Sequence, residues 1–200
     1  WEKETLKEIL PNSFREFGNM ARLAAVEDHA GHWWLAQQNK GVYHVDPFND
    51  RTEFFGEVGP EGKRLSSAMW CQGIAEDRDH QVWITAYEKG LDRISADRAR
   101  VDHFPFSEHP WLRTARVWDV AIDHENRLWI GTNGRGLIIT PAHDPGGAGT
   151  IQLNGAHGLP SLISSIHKDA DGLMWLGGPS GLFRIDPRTS CFENGGRYTA

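Results

Sequence analysis

The stretch Asp123-His124-Glu125-Asn126-Arg127-Leu128-Trp129-Ile130-Gly131-Thr132-Asn133-Gly134-Arg135-Gly136-Leu137 decides the fold. An acidic residue opens a short polar turn, a β-type run holding a Trp follows, and a Gly-Leu pair starts the next run. The figure recurs along the chain. Asp28, Asp77, Asp123 and Asp169 each precede a Trp by six residues, at Trp34, Trp83, Trp129 and Trp175, with spacings of 49, 46 and 46. Gly41, Gly90, Gly136 and Gly181 follow those Trp residues after seven, seven, seven and six positions, and Val42, Leu91, Leu137 and Leu182 stand directly behind them. Four units share one register.

Each column has a physical reason. Ala25, Ile74, Val120 and Ile166 lie three residues before the Asp, and Leu35, Ile84, Ile130 and Leu176 just after the Trp. Two short strands therefore flank the Asp turn as a hairpin. Within that turn an Asp side chain accepts backbone N–H bonds, and Gly31 or Gly172 supplies positive φ. His80 and Asn126 take the same place in the second and third units, and Asn tolerates that conformation best of the side chains. The later Gly opens a third strand, expected at Val42–Val45, Leu91–Ile94, Leu137–Ile139 and Leu182–Ile185. A fourth, more polar strand is expected at Arg51–Phe55, Val101–Phe104, Thr150–Leu153 and Ser190–Phe192.

Four antiparallel strands per unit of about 46 residues, with an aromatic at a fixed place, describe the blade of an all-β propeller. Period-2 alternation and frequent glycine exclude a helical solenoid. The chain reads as one propeller segment. Residues 1–19 hold the outer strand of a preceding blade and a linker, with Glu4–Leu10 as that strand. The four blades run over 20–64, 65–113, 114–159 and 160–200. Four units could close as a four-bladed ring, but an array that begins in mid-blade is expected to belong to a larger one.

Composition narrows the function. The 200 residues hold 21 Lys and Arg against 27 Asp and Glu, a formal net charge of −6, so no basic stripe advertises nucleic acid. No apolar run approaches the ~20 residues of a spanning helix. Cys71 and Cys191, 120 positions apart, form neither a disulfide framework nor a zinc signature.

The pattern of hydrophobic strand, Asp, short turn, Leu-Trp-Ile-Gly-Thr and Gly-Leu resembles the two-component regulator propeller repeat, most fully over Asp123–Leu137. The resemblance covers roughly residues 20–192. It implies a periplasmic sensor propeller of about seven blades in a bacterial signalling protein, with a kinase or other output domain outside this chain and a ligand that is often an oligosaccharide. The first unit departs from the repeat with Trp34-Leu35-Ala36-Gln37, and the second with Trp83-Ile84-Thr85-Ala86. These departures fall where a loop begins.

In an up-and-down meander the Asp turns share one face with the turns between third and fourth strands, and the remaining loops share the other. The Asp turns and the four repeated Trp residues read as structure, with each indole packed between blades and its N–H on backbone. The opposite face holds Arg22, Lys40, Trp70, Tyr87, Lys89, Arg116, Trp118, Asn133 and Arg135, aromatic platforms beside cationic and amide donors that suit a sugar or an acidic sugar. On the innermost strands Asp119 and His167 break a column of small residues, so they are expected as a structural pair or lining of the channel. Histidines fall at unrelated places. His29 and His32 sit in one turn without a third ligand in pattern, so no metal, cofactor or catalytic group is expected. The reading is therefore a non-enzymatic ligand-binding sensor segment, with other blades and signalling domains of the same protein, and a second copy in a homodimer, as partners. A lyase or hydrolase similar to the streptogramin lyase propeller, and a protein-binding scaffold, are the alternatives.

Overall fold

The computed structural model describes residues 23–66, 71–112 and 116–188. Fifteen strands follow in chain order: β1 Leu23–Glu27, β2 Trp33–Gln37, β3 Gly41–Asp46, β4 Arg51–Phe55, β5 Ile74–Glu76, β6 Val82–Ala86, β7 Gly90–Ile94, β8 Val101–Pro105, β9 Arg116–Ile122, β10 Arg127–Asn133, β11 Leu137–Pro141, β12 Ile151–Leu153, β13 Ser165–Lys168, β14 Met174–Gly178 and β15 Gly181–Ile185. They form four antiparallel meanders, β1-β2-β3-β4, β5-β6-β7-β8, β9-β10-β11-β12 and β13-β14-β15. The expected outer strand of blade 4, at 190–192, and the expected strand at 4–10 lie outside the described residues.

The Asp column builds each hairpin. Asp123 Oδ1 accepts the backbone N–H groups of Glu125 and Arg127, both at 2.9 Å. Asp28, Asp77 and Asp169 make the same two bonds, to residues two and four further on. All four turns place their third residue after the Asp at positive φ: Gly31 77°, His80 59°, Asn126 63° and Gly172 82°. The second carboxylate oxygen serves the Trp. Each indole Nε1 donates to Oδ2 of its own Asp, at 3.0, 2.8, 2.7 and 2.7 Å in chain order. This corrects the expectation of a backbone acceptor. The indole lies across its own hairpin from the Asp, and a carboxylate already fixed by two amides is the stronger acceptor within reach.

The glycine that opens the third strand of blades 1, 2 and 3 solves a crowding problem. A Cβ at Gly41, Gly90 or Gly136 would collide with the carbonyl oxygen of Phe55, Phe104 or Leu153 on the outer strand. Only hydrogen fits there.

The blades stack through three apolar layers. Trp34, Val42 and Phe55 of blade 1 meet Ile74, Val82, Ile84 and Ile94 of blade 2. Trp83 and Leu91 of blade 2 meet Val117, Val120, Leu128 and Ile130 of blade 3. Trp129, Leu137 and Leu153 of blade 3 meet Ile163, Ile166, Met174 and Leu176 of blade 4. Trp34, Trp83 and Trp129 thus pack against the following blade, and a middle strand such as β6 is buried on both faces. Trp175, on blade 4, is half-buried. Cys71 joins the first layer, where burial, with Asp92 and Glu57 adding, pushes its thiol up to about 12 and leaves it unreactive.

Candidate functional site

The innermost strands β1, β5, β9 and β13 line a cleft of about 450 Å³. Small and aliphatic residues such as Ala24, Ala75 and Ala121 share its walls with Glu27, Gln72, Glu76 and Lys168, and with the expected pair Asp119 and His167. The two do not pair. Asp119 turns to backbone instead: Oδ2 accepts the N–H of Ile166 at 2.7 Å and Oδ1 that of Val120 at 2.8 Å. The bond to Ile166 ties blade 3 to blade 4. A Cβ on Gly73 of blade 2 would overlap Asp119, so that glycine makes room for the carboxyl. Burial pushes the carboxyl up to about 7, opposed by its two amide donors. His167 is exposed one residue beyond Ile166. The strand pleat sends its ring away from the carboxyl that its neighbour's amide holds.

On the loop face the structure gathers part of the expected set. The Tyr87 and Trp118 rings meet edge to face at 5.0 Å, and the Arg116 guanidinium lies 5.8 Å from the centre of the Tyr87 ring. Arg116 Nη2 is also 3.5 Å from Glu88 Oε1. Asn133 is the cross-strand partner of Arg116. These residues sit at the junction of blades 2 and 3, half-buried or exposed. The pairing of β9 with β10 steps from Gly131–Asp119 to Thr132–Val117, so Trp118 is the extra residue of a β-bulge. A bulge re-aims a side chain out of the alternation, and here it turns the indole toward Tyr87 of the preceding blade.

Lys40, Lys89 and Arg135 stand in the second-to-third-strand loops of blades 1, 2 and 3, at the same end of their sheets. Lys40 and Lys89 are exposed and Arg135 is half-buried. Arg22 and Trp70 lie outside the described residues. Thr85, one of the departures from the repeat, does local work: its Oγ1 accepts the N–H of Gly73 at 2.8 Å and caps the start of the innermost strand.

The Asp-turn face holds two clusters that sequence reading missed. His29 and His32 point to different partners. His29 Nδ1 is 2.6 Å from Glu76 Oε1, and His80 Nδ1 is 3.4 Å from the same oxygen. His32 Nδ1 is 3.1 Å from His44 Nε2, with Asp28 Oδ2 and Asp46 Oδ1 each 3.6 Å from one of those imidazoles. Burial, then Arg98 and His32, pushes His44 below the usual histidine range. Glu76, one residue before a repeated Asp, was the signal available. Only the packing of blade 1 on blade 2 brings it to His29.

Compared with known proteins, residues 112–134 match the model of the two-component regulator propeller. The chain carries a two-component regulator propeller repeat. The matched segment spans the bulge of Trp118, the Asp123 turn and the Trp129 strand, one repeat of the four. Among solved structures the chain is similar to the extracellular domain of the hybrid two-component system BT3049 of B. thetaiotaomicron, with TM-score 0.67 and 18% identity over 83% of this chain and 22% of that one. The BT4673 extracellular domain of the same organism matches with TM-score 0.63 and 19% identity, over 90% of this chain and 26% of that one. The chain thus spans about a quarter of the length of these extracellular domains. Virginiamycin B lyase from Staphylococcus aureus shares the fold at TM-score 0.57 and 14% identity, over 83% of this chain and 55% of that one. No curated protein matches in sequence. Among the described residues, no helix is long and apolar enough to cross a membrane.

Proposed function

We propose that this chain is part of an extracellular sensor propeller and that the Tyr87–Arg116–Trp118 group on its loop face receives an oligosaccharide. The convergence of Tyr87, Arg116 and Trp118 from two blades, with the bulge aiming Trp118, is the observation that carries the reading. An indole and a phenol ring set edge to face offer apolar surface for the C–H face of a pyranose. Arg116, Glu88 and Asn133 flank it with donors and acceptors for hydroxyls, and Arg116 can grip a carboxylate on an acidic sugar. Similarity to extracellular domains of hybrid two-component systems supports placing the segment outside the cytoplasm and coupling occupancy to an output domain elsewhere in the protein. Binding at a junction between blades would change how blades 2 and 3 pack, which is a route for the signal.

The test is a thermal-shift screen of the full sensor region against a panel of neutral and acidic oligosaccharides, because a ligand that binds only the native state raises Tm with occupancy. A shift with one sugar class, lost in Trp118→Ala, is the expected result. Turnover of the sugar, or no response to any class alongside capture of a protein on this face, would overturn it.

A further inference from the structure

Blades 1 and 2 are joined on the Asp-turn face by His29, Glu76 and His80, and we propose that these three side chains form an inter-blade site for a divalent transition metal of the zinc type. His29 comes from the β1–β2 turn, Glu76 ends β5, and His80 stands in the β5–β6 turn. One ligand atom from each lies within 4.8 Å of the other two. Both imidazoles direct Nδ1 at Glu76 Oε1, and the rings stack with centroids 3.5 Å apart and planes 23° from parallel. Two imidazoles and a carboxylate on one side of a point are the donor set that zinc takes with a water in the remaining position; calcium and magnesium prefer all-oxygen cages. Glu76 is 13% exposed and the two His side chains are 52% and 48% exposed, so a hydrated ion can enter from solvent while the carboxylate stays fixed. The second Glu76 oxygen accepts the backbone N–H of His29 at 2.8 Å, the kind of outer hold that orients a ligating carboxylate.

The next junction shows that the architecture does not need these residues. Between blades 2 and 3 the equivalent backbone N–H, that of Arg78, donates to the Asn126 side chain at 2.8 Å, and the Arg78 guanidinium caps the His124 carbonyl. There the left-handed turn position is filled by Asn126, in blades 1 and 4 by glycine, and at this junction by His80 at φ 59°. A histidine costs more than glycine or asparagine in that conformation, and what it adds is a ligand facing Glu76. The cluster of Asp28, His32 and His44 is a weaker candidate. Both Asp28 oxygens are already engaged by the Trp34 indole and the turn amides. Metal at the His29–Glu76–His80 site would pin blade 1 to blade 2 on the face opposite the proposed sugar site, and this inference stands independently of that site.

The full chain, stripped with EDTA, is titrated with ZnCl2 by calorimetry and with CoCl2 by visible absorption. His80→Asn is the central variant, because Asn126 shows that asparagine satisfies this turn; His29→Ala copies Ala170 of blade 4, and His44→Arg copies Arg93 and Arg184 at the equivalent register. One equivalent of zinc is expected, with Kd weakened at least tenfold in His80→Asn and His29→Ala and unchanged in His44→Arg. A cobalt band with the same pattern supports the assignment. No zinc uptake by the parent chain, equal affinity in His80→Asn, or loss confined to His44→Arg would overturn it.

Discussion

The Trp129 indole N–H donates to Asp123 Oδ2 at 2.7 Å in a site that excludes water from both residues. The same carboxylate accepts two turn amides and Arg127 Nε at 2.6 Å. Asp123 therefore joins the turn, the Trp and the neighbouring cation in one buried network. Asp123→Ala is expected to cost about 3 kcal/mol in chemical denaturation, because it strands a buried indole N–H and two turn amides, while Arg127 keeps Glu125 and the Pro187 carbonyl. The matching change Asp169→Ala should cost clearly less, since Trp175 is only half-buried and its turn is open to water. Equal losses at the two positions would refute the network reading.

Glycine is needed where the third strands of blades 1, 2 and 3 open, for space as well as for φ. Gly90→Ala, at φ 124° and against the Phe104 carbonyl, is expected to destabilise by about 2 kcal/mol or more. Gly134→Ala shares a positive φ of 111° but meets nothing within 4 Å, so it should cost about 1 kcal/mol. Urea midpoints of the two variants separate the contributions.

Asp119 makes stability depend on pH in an unusual direction for a carboxylate. Its folded value of about 7 lies above the ordinary 3.8, so the folded chain binds this proton more tightly than the unfolded one. Stability from this group is greatest below pH 4, declines as pH rises toward 7 and is level above that, with an upper bound of about 4 kcal/mol. His44, whose charged form burial disfavours, acts in the opposite sense, losing stability as pH falls through the histidine range. Comparison with a variant isolates the carboxyl: the loss of stability between about pH 5 and about pH 8 should shrink in Asp119→Asn. An unchanged difference would place the titration elsewhere.

Arg116 sits between Glu88 and the Tyr87 ring. Both contacts are exposed, so Arg116→Ala is expected to change stability by less than about 0.5 kcal/mol while reducing affinity for an acidic sugar more than for a neutral one. Equal losses for both sugars would assign Arg116 a general packing role.

The blades were readable because their determinants are local. Asp at the turn, positive φ three residues on, Trp after six and Gly after seven more all act within one meander, and the strand bounds follow from them. Features made between blades were not readable. The distance from Asp119 to the Ile166 amide, and from Glu76 to His29, depends on how two sheets stack, which no spacing along the chain encodes. The acceptor of the repeated indole was misassigned for a related reason. Residues six apart face each other only after the hairpin has turned, and backbone is the commoner partner for a buried side-chain donor. Trp118 was singled out because it stands outside the Trp column. Its approach to Tyr87 needed the bulge, which the sequence does not mark.

The central claim is that the loop face, rather than the Asp-turn face, receives the ligand. The most direct measurement is the Kd of the responding oligosaccharide, by calorimetry, for the full sensor region, for Trp118→Ala and for the turn-face variant His80→Asn. The account predicts a loss of ~1–3 kcal/mol in affinity for Trp118→Ala, the scale of one stacked ring, and no change for His80→Asn. Unaltered affinity in Trp118→Ala would contradict it.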